Sequence, residues 1–97
     1  MHEEAMVNDL LRRVQEVLRR EGAEGALRVR VRLGALAHCT EEGLRGRWSL
    51  AVRDTALAQA QLDVDVSHDL NDPRAQSIVL EDIVLNGEEP SGAFGRT

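Results

Sequence analysis

The side chains best suited to hold a transition metal or act as a nucleophile are His2, His38, His68 and the single cysteine, Cys39. His2 stands within the run Met1-His2-Glu3. A free α-amine on Met1, the backbone nitrogen of His2 and its imidazole can close fused chelate rings on one ion. Glu3 adds a carboxylate oxygen or a further backbone nitrogen. Nitrogen-rich tetragonal sites of this kind suit Ni(II) or Cu(II). A Met-His start is not distinctive by itself, because many such chains bind nothing. His38 and Cys39 are adjacent, and His68 precedes Asp69. One cysteine makes no internal disulfide and no Cys-x-x-Cys pair, so no structural zinc is expected. Cys39 falls just before a helix start, which favours a thiolate; the plainer reading is a small buried hydrophobe. There is no Gly-rich phosphate loop and no Ser-His-Asp or Cys-His pair at a recognisable spacing, so the chain is not expected to be an enzyme.

The elements that must position these groups are readable from periodicity. Residues 3–21 predict a helix, with Met6, Leu10, Val14, Val17 and Leu18 at three- and four-residue spacings, joined by Val7 and Leu11. Glu3 and Glu4 in its first turn and Arg19 and Arg20 in its last match the helix dipole, and Gly22 is a stop signal. Leu27, Val29, Val31 and Leu33 alternate with Arg28, Arg30 and Arg32, which predicts a half-buried strand. Thr40 looks like an N-cap for a second helix of roughly 40–53, with Leu44, Trp48, Ala51, Val52 and Thr55 as its apolar stripe. A second strand is expected over 62–66 and a third over 78–85. Asn71-Asp72-Pro73 forms a turn between them.

The expected fold class is α+β: helix, strand, helix, strand, strand, with two helices on one face of a three-stranded mixed sheet. Strands one and two, joined through a helix, should be parallel, and strand three antiparallel to its neighbour. The exposed edge of strand three could pair with a second copy of the chain, giving a homodimer. Residues 1–85 form the domain. Residues 86–97, rich in Gly, Pro and Ser, are expected to be a disordered tail. Helix one, about 28 Å long at ~1.5 Å per residue, should lie antiparallel to strand one. His2 then shares one end of the domain with His38 and Cys39, and the parallel strand two brings His68 and Asp69 there as well.

Composition excludes several classes. The chain has 97 residues, a net charge of -5, and only 2% aromatic residues, so its core is aliphatic. All 12 basic residues are Arg. The acidic balance argues against a nucleic-acid or membrane-surface binder, and no apolar run approaches the ~18 residues that span a bilayer. The Met-His-Glu-Glu start has neither a basic region nor an apolar core, so no signal peptide is expected. Arg28, Arg30 and Arg32 beside Asp63 and Asp65 admit two readings: a basic stripe for an anion, or cross-strand ion pairs on a solvated face.

The chain as a whole resembles the HypA/HybF family of hydrogenase nickel-incorporation proteins. The resemblance is carried by Met1-His2-Glu3, the first helix, Val-Arg-Leu-Gly-Ala-Leu at 31–36 and Thr-Glu-Glu-Gly-Leu at 40–44. A Trp-bearing helix, Arg-Asp-Thr-Ala-Leu at 53–57, strand 61–66 and Ser77-Ile78 extend it over roughly residues 1–85. It implies a cytoplasmic nickel metallochaperone that works with a nickel GTPase to load a hydrogenase or urease. It also implies His2 as principal ligand, with the Met1 amine and Glu3 nearby. Two departures stand out. The family's zinc domain, with two Cys-x-x-Cys pairs, belongs between the second and last strands, where this chain has Asn71-Asp72-Pro73-Arg74 and no cysteine. An acidic residue near the nickel site in some members corresponds here to Thr40, flanked by Cys39 and Glu41, so His38 or Cys39 could supply a further ligand. The alternative is a partner-binding or scaffold module that kept the fold and lost metal delivery.

Overall fold

The computed structural model describes residues 3–86. Helix α1 runs Glu3–Glu21, strand β1 Ala26–Leu33, helix α2 Glu41–Ala51, strand β2 Gln61–Val66 and strand β3 Ile78–Leu85. The expected α+β fold is present: α1 packs on β3 and α2, α2 reaches β2, and the sheet order is β2-β1-β3. Strand β1 is central, parallel to β2 and antiparallel to β3. The tail proposed for 86–97 lies outside the described residues beyond Asn86.

Helix α1 buries one stripe, Val7, Leu10, Val14 and Leu18. It ends in a Schellman motif: the Ala23 N–H donates to Leu18 O at 2.9 Å and the Gly22 N–H to Arg19 O at 3.2 Å. Gly22 takes the left-handed conformation this closure needs (φ 67°). Thr40 caps α2 as its sequence predicts, its hydroxyl oxygen accepting the Gly43 N–H at 2.9 Å. Leu44, Trp48 and Val52 then enter the core. The segment between α2 and β2 contributes another fully buried side chain, Leu57. Every buried side chain among the described residues is apolar in class. The Trp48 indole Nε1 has no hydrogen-bond partner among them.

The strict alternation expected from Leu27 does not hold. Leu27 is 49% exposed and Ala26 takes the core position instead, at 4%. The register gives the reason: Ala26 pairs with Leu85 and Arg28 with Val84, so Leu27 is an extra residue on β1. A bulge of this kind reverses which face the side chains occupy. A compensating shift follows on β3, where Arg30 pairs with Asp82 and Val31 with Leu80, leaving Glu81 as the extra residue. Leu80 and Ile83, three apart, can therefore both pack against the core.

The face of the sheet away from the helices carries ion pairs. Arg28 Nε lies 3.0 Å from Asp63 Oδ2. Arg32 sits between Glu81, at 2.9 Å, and Asp72, at 3.5 Å. The three arginines of β1 form a central row with acidic residues on both neighbouring strands, as the ion-pair reading expects. Exposed pairs of this sort contribute about 0–1 kcal/mol each.

Candidate metal centre

One end of the domain gathers the carboxyl ends of β1 and β2, the start of β3 and the first turns of α1. The Ser67 N–H donates to Leu33 O at 2.9 Å, joining the exits of the two parallel strands. The Gly34 N–H donates to Ser77 O at 3.0 Å, joining the exit of β1 to the entry of β3. The antiparallel direction expected of α1 relative to β1 follows from what borders His38, while α1 itself packs on β3 and α2. This exposed histidine lines a groove of about 1090 Å³ together with Ala5, Met6 and Asp9 of α1 and Ser77 and Ile78 of β3's entry.

Met1 and His2, the leading candidates, lie outside the described residues, and Glu3 opens α1. Helix α1 therefore begins at the end of the domain where His38 sits. Cys39 takes another direction. It is half-buried against the core, and its thiol donates to Thr40 O at 3.4 Å. With Glu41 and His68 it borders a smaller recess of about 380 Å³, walled by Leu33, Val66 and Leu70. The adjacent pair His38-Cys39 thus divides between two recesses, with Cys39 and His68 sharing one. Among the described residues, no three His, Cys, Asp or Glu side chains come together as a metal-holding group.

The segment between β2 and β3 is compact. Three side chains hold the turns: Ser67 Oγ accepts the Asp69 N–H, Asp69 Oδ1 the Asn71 N–H and Asp72 Oδ1 the Arg74 N–H, at 3.2, 2.9 and 2.9 Å. Ala75 is buried at 3% and its carbonyl accepts the Leu36 N–H at 2.7 Å. Asn71-Asp72-Pro73 marks a turn in the sequence, and the structure adds where the turn is seated. Gly34 closes β1 and makes that seat: a Cβ at that position would stand 2.2 Å from Ala75 O. The signal is a glycine at the end of a strand, a place where another backbone can approach closely. A second contact is equally unmarked in the pattern: Arg45 Nη1 donates to Leu62 O at 2.8 Å, tying α2 to β2.

No helix among the described residues is long and apolar enough to cross a membrane. The family described as "Hydrogenase/urease nickel incorporation, metallochaperone, hypA" matches residues 1–70. The hydrogenase maturation factor HypA of Methylocella silvestris is 32% identical over 66 residues, 68% of this chain and 58% of that protein's length. The solution structure of the nickel metallochaperone HypA from Helicobacter pylori aligns with a TM-score of 0.74, covering 88% of this chain and 97% of that one. At 14% identity this likeness speaks for the fold. With the family match running from the first residue through both parallel strands, and the same fold around them, the chain belongs to the HypA family of nickel metallochaperones.

Proposed function

We propose that this chain carries nickel at its N-terminus and delivers it, in the cytoplasm and with a GTPase partner, to a hydrogenase or urease. Nickel is cargo in this reading, and the chain performs no catalysis. His2 is the principal ligand, with the Met1 amine, the backbone nitrogens at His2 and Glu3 and the Glu3 carboxylate around it. The observation that supports the reading is the shared end: the first turn of α1 and His38 border one groove, so the helix that follows Met1-His2 begins in the neighbourhood of His38. This supports His38, more than Cys39, as a further donor. Cys39 borders the other recess with His68.

The compact Ser67–Ser77 segment supports the alternative, a partner-binding module without metal delivery. It occupies the place where the family resemblance puts a zinc domain, and the chain has no cysteine there. Calorimetric titration of nickel into the untagged chain, beside His2→Ala, separates the two. Metal binding that depends on His2 supports delivery, and its absence supports the partner module.

A further inference from the structure

Among the described residues, β3 is an edge strand of the sheet, and its entry at Ile78 and Val79 pairs with β1. Its first residues, Ile78 and Val79, form one wall of the groove that His38 borders, and α1 forms the other. Unpaired main-chain groups on such an edge are a template for an added strand.

The charges on this groove oppose those of the whole chain. Arg12 and Arg13 stand on the α1 wall and Arg74 on the opposite side. Asp9 is the carboxylate among the lining residues, and it pairs with both Arg12 and Arg13. Arg74 has no ion-pair partner among the described residues. Among the described residues, three guanidiniums against one carboxylate leave a local surplus of positive charge on a chain whose net charge is -5.

From this edge and this charge we infer that the groove docks an acidic segment of a partner protein, taken up in extended form along β3. Main-chain hydrogen bonds to the edge supply pairing, and Arg12, Arg13 and Arg74 select acidic side chains. The volume, about 1090 Å³, lies just above the range of small-molecule sites, typically ~300–1,000 Å³, and fits a short stretch of chain. A nucleic acid, a long polyanion, is disfavoured by the chain's net charge of -5. The inference is independent of nickel, so its failure leaves the metal reading untouched.

The test is fluorescence anisotropy of the full chain with a labelled peptide of alternating Glu and Val, beside a matched peptide of alternating Lys and Val. The acidic peptide should bind saturably and the basic one should not. Binding should weaken as salt is raised past the range where the Debye length falls to about 8 Å. Arg12→Glu and Arg74→Glu should each weaken binding by about tenfold, since each places like charge against the peptide. Arg47→Glu, on α2 and outside the groove, should leave it unchanged. N-methylation of the peptide at alternate residues, tried in both frames, should abolish binding in one frame. Circular dichroism checks that the variants fold, and the salt series and basic peptide need no variant. Equal binding of the two peptides, or no effect of either groove variant, overturns the inference. So does retention of binding in both N-methylated frames. Tighter peptide binding by a Glu88→Lys, Glu89→Lys double variant would assign the groove to the chain's own tail instead. Dissociation of a dimer by the peptide in sedimentation would assign it to a second copy.

Discussion

Gly34 and Ala75 meet backbone to backbone: a Cβ on Gly34 would stand 2.2 Å from the Ala75 carbonyl oxygen and 2.8 Å from that of Arg74. The exit of β1 is thereby fastened to the turn that leads into β3, with Leu36 N–H to Ala75 O and Gly34 N–H to Ser77 O completing the clamp. The loop carrying His38 and Cys39 leaves directly from this point. Gly34→Ala should destabilise the fold by about 1–3 kcal/mol as an overpacked site, toward the upper end because backbone atoms form the obstacle. Gly46, in α2, has open space around its Cβ position. Gly46→Ala should stabilise by about 1 kcal/mol through helix propensity. Urea unfolding of the two variants gives the contrast; equal effects would mean the clamp is not tight.

Trp48 is 3% exposed and shares the buried stripe of Leu44 and Val52. Trp48→Ala should cost about 3–5 kcal/mol. Trp48→Phe removes the buried indole N–H that has no partner among the described residues, so it should cost markedly less than the alanine change. Denaturant midpoints of the two variants check this, and similar losses in both would point to an indole N–H that is hydrogen-bonded in solution.

Leu27 is the position where the alternation misleads. Leu27→Thr should change stability by no more than about 0.5 kcal/mol, as at an ordinary surface site. Val29→Ala, at a fully buried position, should cost more than 1 kcal/mol. Reversal of this order would place Leu27 in the core and remove the bulge.

The helices were legible because their signals are local. Thr40, Gly22 and the stripe from Val7 to Leu18 lie within a few residues of the bonds they determine. Both bulges leave a trace only in the parity of the apolar positions: Ala26 falls out of step with Val29, Val31 and Leu33, and Ile78 and Leu80 with Ile83 and Leu85. A strand of eight residues reads as regular until its partner's register is known. The shared end of the domain followed from element lengths and loop lengths. The division of His38 and Cys39 between two recesses did not, since it depends on which neighbours α1 and β2 bring to each side. The seat of Ala75 against Gly34 joins residues distant in sequence, and no local pattern encodes it.

The chain should fold without zinc, since its one cysteine offers no thiolate set and its core is continuous. Thermal unfolding with and without a strong chelator should give the same midpoint. A large drop with chelator would contradict this.

Nickel uptake at His2 and the Met1 amine should depend on pH with a definite sign. Protons compete with the metal for both nitrogens, whose reference pKa values are ~6.5 and ~7.7–8.0. Affinity should therefore fall as pH is lowered through that window, and binding should release protons into the buffer. Titrations in buffers of different ionisation enthalpy measure the protons released; none released would exclude these nitrogens as ligands.

The most direct measurement is a calorimetric nickel titration of the untagged chain beginning at Met1, run beside His2→Ala, His38→Ala and Cys39→Ser. Wild-type protein should bind tightly, and His2→Ala should lose that binding. An N-terminal extension should have the same effect, because it removes the amine from its position. His38→Ala should weaken binding modestly, and Cys39→Ser should weaken it less, because Cys39 borders the other recess. Equal nickel affinity in wild-type protein and His2→Ala would contradict nickel delivery through the N-terminus.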